Sequence, residues 1–277
     1  MMNIKKHKKK IFMFYNNQNN TSKPSLSDFK SVYPNSKQNR NIYKIWRWLV
    51  IGKLSFYVSW LAARMRLHPN QITYLSFIIG LIGIYLLLLG GTKNFIIGTI
   101  GINIWYLLDC SDGHLARYYK IKSNFGKFLD EGFGEIVMTF VWLGIGIGLY
   151  KNPDISIIFI SDLLEISSNE YILISGAITS ISIALRNCIS GRFSANYVIK
   201  NKNSSTVNVS QESFYYRWFK IYWTNFMGIG GLQGPLLIIT SITGHLGLLL
   251  IIYSSAYFSY LIISVIYFIH KFNKSNL

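Results

Sequence analysis

Acidic residues are scarce in this chain. Eleven Asp and Glu stand against 28 Lys and Arg, giving a formal net charge of +17 over 277 residues. Charge of either sign is also low, at 14%, where an average soluble domain carries about 25%. A water-soluble enzyme of this length would lack the polar surface it needs, so an ordinary soluble globular protein is excluded. The 51% hydrophobic content excludes a disordered chain as well. Cysteine is nearly absent. Cys110 and Cys188 cannot build a disulfide framework and stand in no metal-ligand spacing, so both read as small apolar fillers. Strand-like alternation and internal repeats are missing. So is a secretory signal: the basic start Lys5 to Lys10 is followed only by Ile11 to Phe14 before the polar run Asn16 to Asn20.

What the chain does contain is long apolar runs. Six stretches, at 71–90, 95–117, 124–150, 171–192, 224–243 and 246–270, each approach the ~20 residues that carry a helix across a bilayer. The fifth opens on Gly228, Gly230, Gly231, Gly234 and Pro235, so its start is poorly defined. Before them, residues 40–66 mix Trp46, Trp48 and Trp60 with Lys44, Arg47, Lys53, Arg64 and Arg66. That mixture suits an amphipathic helix at the headgroup boundary. A re-entrant helix is the alternative, because Trp48 to Trp60 holds one charge, Lys53. Residues 1–39, rich in Asn, Ser and Lys, read as a flexible basic tail. The expected fold is an all-α integral membrane protein: six transmembrane helices, within 67–277, preceded by the interfacial helix.

Loop charge orients this arrangement. With the N-terminus inside, only Lys93 and Lys151 lie outside, and the acid-rich loop 151–170 faces outward. Both termini are then cytoplasmic. The first 66 residues carry a net charge of +13, which suits anionic headgroups of the inner leaflet rather than nucleic acid.

Five of the eleven acids fall within 27 residues: Asp109, Asp112, Asp130, Glu131 and Glu135. They lie at the inner end of the second span and the inner start of the third. Charge at membrane depth is costly unless paired or hydrated, so five convergent carboxylates point to a site. Asp109 and Asp112 are three apart and share a helix face, and an antiparallel neighbour returns Asp130 toward them. Oxygen-only ligands suit Mg²⁺ or Mn²⁺ rather than zinc. His114 stands alone beside them and reads as a non-ligand. Gly113, Ala116 and Gly126 allow close approach, and Arg117 offers a forked donor for phosphate. Together these suggest a polyphosphate held through divalent ions.

The run Asp109-Cys110-Ser111-Asp112-Gly113-His114-Leu115-Ala116-Arg117, then Gly126, then Asp130, resembles the signature of the CDP-alcohol phosphotransferases, D-x-x-D-G-x-x-A-R, eight residues, G, three residues, D, three residues, D. Seven of the eight positions match. Pro69-Asn70-Gln71-Ile72-Thr73 resembles a second hallmark of that family, P-N-x-[IL]-T. The resemblance implies that an acceptor hydroxyl attacks a CDP-alcohol, such as CDP-diacylglycerol, and CMP leaves. It implies two Mg²⁺ or Mn²⁺ ions on Asp109, Asp112 and Asp130. It assigns the CDP-alcohol to Asn70, Thr73, Asp109, Gly113, Ala116, Arg117 and Gly126, and it suggests a homodimer acting in phospholipid or related membrane-lipid synthesis.

One position departs. The last Asp of the signature, the family's usual general base, is Gly134 here. Glu135 is its first replacement, about 100° around the helix, and Glu131 the second, with Asp130 beside them. If neither replaces it, the chain is an impaired homologue that binds metal and CDP-alcohol without turnover. Arg186 and Arg192 serve either as positive-inside anchors or as an acceptor-phosphate clamp. The segment Phe214 to Lys220 reads as an interfacial loop. A cation pathway is disfavoured, because all five clustered acids lie near one face.

Overall fold

The computed structural model describes residues 24–33, 44–164, 170–201 and 214–274. Most of the basic tail, the acidic end of the 151–170 loop and the segment after residue 201 lie outside them. Among the described residues the protein is all-helical, 89% helix with no strand. We number the helices α1 (Leu26–Ser31), α2 (Gly52–Arg64), α3 (Pro69–Leu89), α4 (Thr92–Tyr118), α5 (Asn124–Lys151), α6 (Ile155–Leu164), α7 (Glu170–Asn201), α8 (Phe214–Met227), α9 (Gly234–Thr243) and α10 (Leu246–Lys274). Short π turns at Arg47–Ile51 and Ile229–Gln233 precede α2 and α9.

Helix α3 starts where its caps dictate. His68 Nδ1 accepts the Asn70 N–H at 3.2 Å, the His68 N–H donates to Gln71 Oε1 at 2.7 Å, and Pro69 occupies a position whose N–H would be orphaned anyway. Gly90, with φ +73°, ends it and lets the chain reverse into α4. The apolar faces then pack at close crossings. A Cβ on Gly146 would lie 2.9 Å from the Gly176 Cα, bringing α5 and α7 into near-backbone contact. A Cβ on Gly98 would lie 3.0 Å from the Gly83 carbonyl oxygen, doing the same for α3 and α4. The core between them is Trp142, Leu87, Ile102, Ile145, Leu250 and Tyr253, all fully buried.

Among the described residues four helices are long and apolar enough to cross a membrane: Pro69–Leu89, Asn124–Lys151, Glu170–Phe193 and Leu246–Lys271. A fifth span is made if Ile221–Met227 and Ile229–Thr243, bent by 57°, are taken together. The bend falls at the glycines: Gly231 has non-helical angles, and a Cβ there would overlap the Asn225 backbone. Helix α4 is 27 residues long, but Asn94, Asn103, Asp109 and Asp112 dilute its apolar character. Exposed Ile78, Ile82, Ile97, Phe140, Ile181 and Ile263 cover the outside of the bundle, a surface that suits lipid and not water.

Three expectations differ from the observed structure: within the stretch 151–170, read as a loop, Ile155–Leu164 is helix α6. Phe214 to Lys220, read as a loop, belongs to helix α8. Residues 24–33, read as part of a flexible tail, form α1 and its flanks. Phe29 is the reason: it is 2% exposed, stacks on Tyr118 at 4.4 Å and joins Ala62, Ala63, Ile72 and Leu115 in a second core. Trp60 Nε1 fixes the start of this strap by donating to the Pro24 carbonyl at 3.0 Å.

Candidate functional site

The site is built where α4 ends and α5 begins. Asp109 lies 17 residues into α4 from Thr92, about 26 Å along the axis, and Asp130 lies in the second turn of α5. Ser123 Oγ accepts the Gly126 N–H at 3.2 Å and sets the start of α5. The antiparallel return expected from the sequence follows. Asp109 and Asp130 come within hydrogen-bonding reach of one another, and Asp112 lies near enough to act electrostatically on both. Two carboxyl groups so placed repel unless a proton or a cation lies between them.

Burial grades outward. Asp112 is 5% exposed, Asp109 is half-buried and Asp130 is exposed, so the cluster opens at Asp130. The buried member is held from α3: Thr73 Oγ1 donates to Asp112 Oδ2 at 2.5 Å and also contacts the Pro69 carbonyl at 3.2 Å. Thr73 thus orients a carboxylate. Asn70 meets Gly126, where a Cβ would lie 3.2 Å from Asn70 Oδ1. Arg117 covers Gly113, with Nη1 3.4 Å from a Cβ there, and its Nη2 pairs with His114 Nδ1 at 3.2 Å. Ala116 is half-buried between them in sequence.

Other candidates are not drawn in. Glu131 bridges to Lys127 at 3.5 Å on an exposed face. Glu135 is exposed. A Cβ on Gly134 would meet nothing within 4 Å, so the position that departs from the signature is open space. Arg186 instead binds α10: its Nη2 donates to the Tyr260 hydroxyl at 2.7 Å and its guanidinium lies 4.5 Å over that ring. Arg192 is exposed and does not share this contact.

Sequence reasoning missed two residues. Arg47, read as a headgroup anchor, lies within hydrogen-bonding reach of Tyr106 and within electrostatic reach of Asp109. Tyr33, on the strap, packs against His114 at 5.0 Å and under the Arg117 guanidinium at 5.2 Å. Neither carried a local signal, since both reach the site across more than 60 residues of chain.

The donor set is oxygen-only, the chemistry a hard divalent cation takes. Among the described residues no three His, Cys, Asp or Glu side chains are arranged to hold a metal ion. The like charges pressed together are nonetheless the feature such a cation would relieve.

No curated protein matches the chain significantly. A family model does: CDP-alcohol phosphatidyltransferase matches residues 66–204, a stretch that holds both sequence hallmarks and every residue of the acidic cluster. With half the chain matched and the motif residues gathered at one helix junction, the chain belongs to the CDP-alcohol phosphatidyltransferase family.

Proposed function

We propose that this chain transfers the substituted phosphate of a CDP-alcohol, such as CDP-diacylglycerol, to an acceptor hydroxyl at the cytoplasmic face of a membrane. The family uses a CDP-alcohol donor and an alcohol acceptor and is generally divalent-metal dependent. The observation that carries the reading is the Asp109–Asp112–Asp130 cluster, with its buried member held by Thr73 and with Arg117 alongside. Asp109, Asp112 and Asp130 would hold Mg²⁺ or Mn²⁺, which neutralises phosphate charge and steadies the leaving phosphate.

The chain's own residues supply the rest. Arg117 orients phosphate oxygens with its planar fork. Gly113 and Gly126 keep the floor low enough for the nucleotide. The acceptor oxygen forms the new bond to the alcohol-side phosphorus, the bond from that phosphorus to the bridging oxygen breaks, and CMP departs with the electron pair. The hydroxyl proton goes to a carboxylate. Glu135 is our first choice, being exposed and outside the set that would hold the cation, and Glu131 is occupied by Lys127. The acidic mouth near one lip of the bundle would let acyl chains stay in lipid while nucleotide and acceptor come from water. Six spans, cytoplasmic termini and a homodimer complete the proposal, with a role in phospholipid or related membrane-lipid synthesis.

The test is mass spectrometry of the protein in nanodiscs with Mg²⁺ or Mn²⁺, CDP-diacylglycerol and other CDP-alcohols, and a panel of acceptors. CMP and the matching product should appear together, and Asp130→Asn should abolish both. Absence of CMP from every pair overturns the reading. A second reading, binding without turnover, is favoured by one observation, the empty space at Gly134. Under it the wild type retains CDP but releases no CMP, and Gly134→Asp, which has room, restores release.

A further inference from the structure

Helix α2 and its leading turn have an inverted face. Trp48 and Leu49 are 53% and 46% exposed, while between them and Trp46 the cation Arg47 turns inward, its Nε shut off from solvent with no hydrogen-bond partner. A basic residue that serves the headgroups does the reverse, sending its charge out and its stem along apolar surface.

The backbone explains the inversion. The Ile45 N–H donates to Asn225 Oδ1 at 2.9 Å and Trp46 Nε1 donates to Asn103 Oδ1 at 3.0 Å, which pins the start of the segment to α8 and α4. The next turn is a π turn, closed by the Gly52 N–H on the Arg47 carbonyl. A Cβ at position 52 would lie 2.6 Å from that carbonyl oxygen, so the turn needs glycine. Such single wide turns rotate one residue out of the helical register and are frequent at functional sites.

The residue so rotated lies within hydrogen-bonding reach of Tyr106 and within electrostatic reach of Cys110 and Asp109 on α4, of Tyr33 on the strap and of Arg117. Two guanidinium groups therefore bear on one region beside the acidic cluster. Arg117 also leaves its Nε buried without a partner. Buried donors without acceptors are costly, and paired cations repel. Asp109 lies within electrostatic reach of Arg47 and Asp112 of Arg117, but neither carboxylate hydrogen-bonds the buried Nε of either arginine. What the two Nε donors lack is an acceptor, and a phosphate group, with several acceptor oxygens, is the chemistry that serves both.

We propose that Arg47 is a second phosphate-binding arginine, acting with Arg117 on the diphosphate of the CDP-alcohol donor; this rests on the transferase reading above. The carboxylates then form one side of the site and the two arginines the other, with Tyr33 closing over Arg117.

The full-length protein in nanodiscs, with Mg²⁺ present, is titrated calorimetrically with CDP, cytidine, inorganic pyrophosphate and inorganic phosphate. Arg47→Gln should weaken CDP and pyrophosphate at least tenfold and leave cytidine unchanged. Arg47→Lys, which keeps the charge and disturbs folding least, should lose several-fold on CDP and nothing on cytidine. Lys53→Gln, an equal charge loss at an exposed position of the same helix, should change neither. Equal losses for CDP and cytidine would mean that Arg47 only holds the helix in place, and would overturn the proposal. Unchanged CDP affinity would overturn it too, even with wild-type CMP release intact. Arg47-dependent binding of inorganic phosphate with CDP unaffected would reassign the site to an acceptor or lipid phosphate, against the donor assignment. Arg47-dependent pyrophosphate binding without any CMP release would leave the anion site standing and remove the transferase reading.

Discussion

Thr73 and Asp112 illustrate what a single contact contributes. A carboxylate 5% exposed keeps its charge only with partners, and Thr73 supplies a hydroxyl at 2.5 Å from a different helix. Hydrogen bonds to charged groups contribute about 1.5–3 kcal/mol. Thr73→Val, nearly the same in shape, should therefore weaken metal-dependent CDP binding by about 10-fold to 100-fold. Thr73→Ser should retain most of it. Titrations of CDP at several Mg²⁺ concentrations would decide; equal affinity in Thr73→Val and wild type would remove Thr73 from the site. The Asp109–Asp112 pair was readable from its spacing of three. The hydroxyl holding one member was not, because Thr73 stands 39 residues away and its own motif says nothing of which side chain it faces.

Helices in this protein meet through glycine rather than through large knobs. Gly146 and Gly176 bring α5 and α7 together, and a Cβ on Gly148 would overlap the Leu87 carbonyl at the end of α3. Small residues permit such approach in lipid, where packing rather than exclusion from water drives association. Gly146→Val should cost about 1–3 kcal/mol by overpacking, read as a fall in the detergent unfolding midpoint. Gly132→Ala, where a Cβ meets nothing within 4 Å, should leave that midpoint unchanged. The strap α1 obeys a different rule. The Ser25 N–H donates to Asp28 at 2.8 Å, and this bond holds the Asp28 carboxyl below its ordinary range. A carboxyl lowered on folding stabilises at pH above its unfolded value, and that contribution is lost as pH falls through the lowered value. Hydrogen exchange across residues 24–33 should thus show less protection at acid pH than near neutrality, after correction for intrinsic rates. Asp28→Asn should flatten the dependence, and a dependence that survives the substitution would assign it to another group.

At the scale of the whole molecule, charge and apolar surface act together. Exposed isoleucines and phenylalanines wrap the bundle, while five of the eleven acids, Asp109, Asp112, Asp130, Glu131 and Glu135, fall near one helix junction. The family and the apolar spans make this an integral membrane protein, and the orientation proposed here follows from the sparse basic residues of the outer segments. In vesicles of known sidedness, lacking Cys188, a cysteine replacing Lys93 should react with a membrane-impermeant thiol reagent from the outside. One replacing Lys120 should react only from the inside. The reverse pattern would put the acidic mouth on the exterior face and remove its access to cytosolic nucleotide.

The sequence by itself determined the membrane character, the helical class and the acidic cluster. Residues three or four apart on a helix have a fixed angular relation, and apolar runs of sufficient length have few other folds open to them. It also marked Gly134 as the point of departure. Only the tertiary structure decided that Thr73 supports Asp112, that Phe29 orders the strap, and that Arg47 faces inward within electrostatic reach of Arg117. Each of those joins segments far apart in the chain, or depends on one wide backbone turn. Such contacts are set by how helices pack, and local spacing carries no record of that.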